Sequence, residues 1–95
     1  FIKWDLVRFF HENPHTTDTA ENIARYTGRD ARIVEPELIQ LAHDGVLELD
    51  QLPEMRIYTY TDNPTLRALI GEFLDRCEDR QFRVKAIYHV IRSLR

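Results

Sequence analysis

Apolar residues recur along this chain at steps of three and four, and the rhythm changes to two only once. Ile2, Leu6, Phe9 and Phe10 share one helical face, with Trp4 and Val7 widening it, so Phe1 to Glu12 reads as an amphipathic helix. Asn13-Pro14 stops it, because the residue before a proline avoids helical backbone, and Thr16-Thr17 continues the connection. Asp18 opens a second, short helix, with Asp18 and Glu21 three apart as in a capping box. Ala20, Ile23 and Ala24 face inward there, Tyr26 covers an edge, and Gly28 ends it. A third helix runs from about Asp30 or Arg32 to Asp44, with Val34, Leu38 and Leu41 on its inner face. Pro36 is tolerable only near the first turn, which favours a start at Arg32 or a bend. Gly45 takes the left-handed backbone that ends a helix.

The period of two appears in Met55, Ile57 and Thr59 against Arg56, Tyr58 and Tyr60. Val46–Asp50 and Met55–Thr61 are therefore expected to pair as a β-hairpin across the loop 51–54. Asn63-Pro64 then opens a further helix, with Asn as cap and Pro at the first helical position. Leu66, Ile70, Phe73, Cys77, Val84, Ile87, Ile91 and Leu94 follow at alternating steps of four and three, interrupted only by Arg80. The segment reads as one long or kinked helix, or as two helices meeting near Glu78 to Gln81; the pattern leans toward the first.

The chain has 95 residues, the size of one domain. Its net charge of −3 conceals an asymmetry: residues 80–95 hold five bases and no acid, whereas residues 1–79 hold eight bases and sixteen acids. So acidic a body is not the usual footprint of a DNA-binding domain. No apolar run is long enough to span a membrane. The single cysteine, Cys77, allows no internal disulfide and fits a reducing, cytoplasmic setting. No signal peptide is visible, although a chain beginning at Phe1 leaves a lost leader open.

Two short helices joined through Gly28-Arg29 form a helix-turn-helix signal. With the hairpin and last helix added, the order resembles a winged helix-turn-helix domain, and four positions carry most of the likeness: Val34, Leu38, Leu41 and Gly45. Ile23-Ala24 with Gly28 resembles the family's second helix and turn. Tyr58-Thr59-Tyr60-Thr61 is similar to the Tyr-x-Leu-Thr that ends the wing in MarR-like and PadR-like transcriptional regulators, with Tyr60 in the Leu place. The resemblance implies a mainly α fold with a small β-hairpin: a winged-helix domain over 1–62, then a helical extension over 63–95. It implies that the third helix enters the major groove of double-stranded DNA while the wing touches the backbone. It also implies dimerisation through the last helix, on Leu66, Ile70, Phe73, Cys77, Val84, Ile87, Ile91 and Leu94.

The outward face of the third helix carries Arg32, Glu35, Pro36, Ile39, Gln40 and His43. Two readings follow. In one, the protein is a DNA-binding regulator whose contacts come from Arg29, Arg32, Gln40 and Arg56. In the other, Arg29 and Arg32 pair with Asp30, Glu35 or Glu37 as a solvated network, and Glu35, Pro36, Glu37 and Ile39 form a contact for a protein partner. The wide apolar stripe beyond residue 80 supports a homodimer in either case. His11, His15, His43 and His89 show no metal-ligand spacing. Ser93, the only serine, lies in no nucleophile elbow, and the three glycines form no phosphate loop. No enzyme, cofactor or metal is expected.

Overall fold

Helix α1 (Ile2–Glu12) buries Leu6, Val7 and Phe10, the middle of the stripe read from the sequence, and the computed structural model describes residues 2–77. Asn13 closes α1 by donating its backbone and side-chain N–H groups to the Phe9 carbonyl. The turn through Pro14 then brings the Thr16 N–H to the Asn13 carbonyl at 3.0 Å. It lays Thr17–Asp18 (β1) beside the hairpin.

This strand corrects the expectation of a plain connection and a lone hairpin. The sheet has three antiparallel strands in the order β1–β3–β2, with Thr17 opposite Thr59 and Asp18 opposite Tyr58. Two residues are too few for any periodicity to register. Strands β2 (Leu47–Gln51) and β3 (Arg56–Tyr60) pair from Leu47–Tyr60 to Gln51–Arg56. The alternation in β3 resolves in favour of the aromatic face. Tyr58 and Tyr60 are buried, whereas Met55, on the other phase, is exposed.

The start of α2 (Ala20–Thr27) is also corrected by one residue. Its cap is Thr19, in extended backbone, whose Oγ1 accepts from the Asn22 N–H at 3.4 Å. Asp18 sits in β1, and its carboxylate accepts from the Thr19 N–H and the Asn22 Nδ2 at 2.8 and 2.7 Å. The acid supports the cap rather than forming it. Gly28 and Gly45 both have positive φ, at 69° and 85°. In each case the next residue reaches back, Arg29 N–H to Ala24 carbonyl and Val46 N–H to Leu41 carbonyl, the bond that closes a glycine-ended helix.

Helix α3 (Ala31–His43) starts directly after its cap, Asp30, which accepts from the Arg32 N–H at 2.9 Å. Pro36 therefore lies inside the helix, beyond the first turn to which the sequence reading confined it. Proline has no N–H, so the Arg32 carbonyl loses its usual donor four residues on. Arg32 is exposed, so water can take that place.

Val34 and Leu38 are fully buried and Leu41 nearly so, in one core with Leu6, Phe10, Ile23, Tyr58 and Tyr60. Residues 64–77 are helical (α4), capped by Asn63, whose side-chain oxygen accepts from the Thr65 and Leu66 N–H groups. Ile70 and Leu74 join the same core, and Leu66 packs against it. Helix α4 approaches α1 closely at Gly71. A Cβ there would stand 3.0 Å from the His11 ring, which is itself held by a 3.0 Å bond between His11 Nδ1 and the Tyr60 hydroxyl. Whether the segment from Pro64 onward is one helix or two lies outside the described residues, as do Val84, Ile87, Ile91 and Leu94.

Candidate nucleic-acid interface

Helix α2, the turn at Gly28-Arg29 and α3 form a helix-turn-helix with the β2–β3 wing beside it. Burying Val34, Leu38 and Leu41 forces the rest of α3 outward, because neighbouring positions on a helix diverge by about 100°. The outer face then holds Arg32, Ile33, Pro36, Ile39, Gln40 and His43 exposed, with Glu35 and Glu37 half-buried. Ile33 is half exposed and was not picked out by the sequence reading. Its place between the buried line and Pro36 was the available signal.

All four residues expected to contact DNA already have polar partners within the chain. Arg29 forms an ion pair with Asp5 on α1, rather than with the nearby acids of α3. Arg32 pairs with Asp30 at 3.0 Å, one of the pairings the sequence suggested, and holds the Asp30 carboxyl below its ordinary pKa. Gln40 donates to the Asp44 carboxylate at 3.1 Å. Arg56 donates to Glu35 at 3.1 Å and to Gln51 at 2.8 Å, tying the wing to α3. These groups are substantially exposed, so each pair is weak and opens at little cost.

Arg25, exposed on α2, forms no ion pair among the described residues and was missing from the sequence reading. It stands one turn beyond Glu21 on the solvent face of a short amphipathic helix, a position legible from the pattern. At the wing tip the Leu52 N–H donates to the Met55 carbonyl. Leu49, Leu52 and Met55 leave apolar surface exposed there. Among the described residues, no group of three His, Cys, Asp or Glu side chains could hold a metal ion. No helix among them is long and apolar enough to cross a membrane.

The protein-contact residues fall on the same face. Pro36 and Ile39, with Arg32 and Glu35, line a shallow depression. Of the expected dimerisation residues, Ile70 and Leu66 are used by the chain's own core, Cys77 is half-buried, and Phe73 is exposed with its ring 4.9 Å from that of Trp4.

Neither a protein-family model nor a curated protein matches the chain. Solved structures do. Sso10a-2, a DNA-binding protein from Sulfolobus solfataricus, aligns with a TM-score of 0.60 at 21% identity over 94% of this chain and 90% of its own. The overoxidized AbfR bound to DNA aligns at 0.61 and 16% identity, over 98% and 71% of the two chains. MepR, a transcription regulator of the Staphylococcus aureus multidrug efflux pump MepA, aligns at 0.60 and 14% identity, over 99% and 78%. At such identities the likeness is one of architecture: this chain has the winged-helix fold, with α3 in the recognition-helix position and β2–β3 as the wing.

Proposed function

We propose that the protein is a winged-helix DNA-binding protein, a transcriptional regulator and not an enzyme, that works in the cytoplasm as a homodimer. The observation that carries this reading is the presentation of α3: its inner face is locked by Val34, Leu38 and Leu41, and its outer face stands free beside the wing. Arg25 on α2, Arg29 in the turn, Arg32 and Gln40 on α3 and Arg56 on the wing are the candidate donors. The surface ion pairs of Arg29, Arg32 and Arg56 are weak enough to exchange for phosphates. The likeness to DNA-binding proteins and regulators extends over nearly the whole chain and adds support.

The homodimer reading rests on the exposed apolar groups around α4. Trp4, Leu69 and Phe73 border a cavity of about 650 Å³ between α1, the end of α3 and α4. The sequence stripe continues past it through Val84, Ile87, Ile91 and Leu94. In this arrangement 1–62 form the DNA-reading unit and 63–95 the dimerisation element, with Leu66 and Ile70 anchoring that element to its own winged helix.

Fluorescence anisotropy with labelled duplex DNA at 50 and 200 mM salt tests the function. A contact with six phosphates should weaken about a thousandfold across that interval through counterion release. Absence of binding at 50 mM salt would remove the proposal and return the α3 face to the protein-contact reading. Sedimentation of the intact chain beside a Phe73→Glu variant tests the dimer, which fails if the intact chain is monomeric at micromolar concentration.

A further inference from the structure

Positions on a helix turn by about 100° per residue. With Val34, Leu38 and Leu41 turned into the core, Pro36 lies nearest the outward direction, and Ile33 and Ile39 stand about 60° to either side of it. Residues three apart are neighbours on a helix surface, so the three form one apolar band that slants across the outer face of α3. Ile33 is 52% and Ile39 40% exposed, and Pro36 is exposed between them. Pro36 and Ile39 share the wall of one shallow depression. A single exposed apolar side chain needs no explanation, but a contiguous band does.

Few hydrogen-bond donors accompany the band. Arg32 and Gln40 flank it, whereas the ionised Glu35 and Glu37 accept but cannot donate. Arg32 is paired with Asp30. The Gln40 amide gives one N–H to Asp44 and, among the described residues, keeps its second N–H and its oxygen. In a DNA major groove thymine shows a C5 methyl, and adenine shows an acceptor, N7, beside a donor, N6–H. An apolar side chain covers the first, and a glutamine amide matches the second. Ile39 and Gln40 are consecutive and both exposed. The outer face of α3 therefore carries the complement of both halves of an A·T pair.

We infer that Ile33, Pro36 and Ile39 read thymine methyl groups in the major groove, with Gln40 on adenine, so that the chain selects A·T pairs through apolar contact. The inference rests on the DNA-binding reading and names what α3 reads there. Successive members of the band are about 4.5 Å apart along the helix axis, close to the roughly 3.4 Å step between base pairs. The band is long enough to meet two methyl groups or more. Burying one methyl strengthens binding about fourfold, and burying two roughly fifteenfold. Phosphate attraction then comes from Arg25, Arg29 and Arg56 on the neighbouring elements, and sequence preference from α3.

The test is fluorescence anisotropy of the intact protein at low salt with three duplexes of equal length and charge: alternating dA-dT, the same duplex with deoxyuridine for thymidine, and alternating dG-dC. Deoxyuridine lacks only the C5 methyl and pairs with adenine in the same way. The protein should bind the thymine duplex about tenfold more tightly than the uracil duplex, and the dG-dC duplex most weakly. Ile39→Ala, at an exposed position, should leave affinity for the uracil duplex unchanged and narrow the thymine preference about three- to fourfold. Gln40→Ala should weaken both adenine-containing duplexes by one common factor, about fivefold or more. Circular dichroism checks that both variants fold. Equal affinity for the thymine and uracil duplexes would overturn the inference. So would a thymine preference untouched by Ile39→Ala, because it would then come from duplex shape. Binding to none of the three duplexes removes the DNA-binding reading, and the inference with it.

Discussion

Glu35→Gln separates the structural role of one carboxylate from its effect on DNA. Glu35 accepts from Arg56 Nη1 at 3.1 Å, and both side chains are about two-fifths exposed. An ion pair so placed contributes roughly 0–1 kcal/mol, so the variant should unfold within about 1 kcal/mol of the parent. Binding should change more. On the DNA-binding reading, the substitution removes one negative charge from the face that would meet phosphates and frees Arg56 from its charged acceptor, although Gln51 still holds the guanidinium Nε. One unit charge removed roughly 7 Å from a phosphate in water is worth about 0.6 kcal/mol by Coulomb's law, and a direct contact of the freed Arg56 with a phosphate adds about as much again. Together they amount to roughly five- to tenfold in affinity. If Arg56 then engages a phosphate, the slope of log K against log salt should steepen by about 0.9. Anisotropy across a salt series reads both quantities. An unchanged slope with unchanged affinity would refute the claim that Glu35 withholds Arg56 from DNA.

Three further expectations concern the fold. Leu38→Ala removes a fully buried side chain from the centre of the core and should cost about 2–5 kcal/mol in urea unfolding. Gly45→Ala meets nothing within 4 Å, so its cost should be purely conformational, about 1 kcal/mol from the φ of 85°. Asp18 is held below its ordinary pKa by Asn22 first and by the Thr19 N–H next. Its folded pKa is depressed, so its contribution is complete above the unfolded value near 3.8 and fades as pH falls through the folded one. Asp18→Asn should therefore flatten the acid limb of stability against pH, read by chemical denaturation between neutral pH and about pH 2.

The Asp18→Asn expectation exists only because the structure relocated that residue. From the sequence, Asp18 was a helix cap; in the fold, Thr19 caps α2 and Asp18 lies in a strand. A cap shifted by one residue has almost the same sequence signature, since Asp, Thr and Asn all favour that position. Pro36 shows the same limit. Local chemistry placed it in the first turn, but the Asp30 cap starts α3 early enough to put the proline in the middle of the helix, with the Arg32 carbonyl left without its helical donor.

What the sequence determined by itself was the order of elements and the faces they bury. Val34, Leu38 and Leu41 with Gly45 specified a helix laid on a core and ended by a left-handed glycine, because helical spacing and backbone sterics act between near neighbours. Tyr58 and Tyr60 were placed on one side of a strand for the same local reason, though not which side faced inward. Tertiary structure decided what depends on distant residues meeting. It added β1 to the sheet, sent Arg29 to Asp5 rather than to α3, tied Arg56 to Glu35, and seated Ile70 and Leu74 in the core of the winged helix. It also brought Glu21, Glu35 and Glu54 to the wall of one cavity. Those residues come from two helices and the wing, and no spacing along the chain records that they share it.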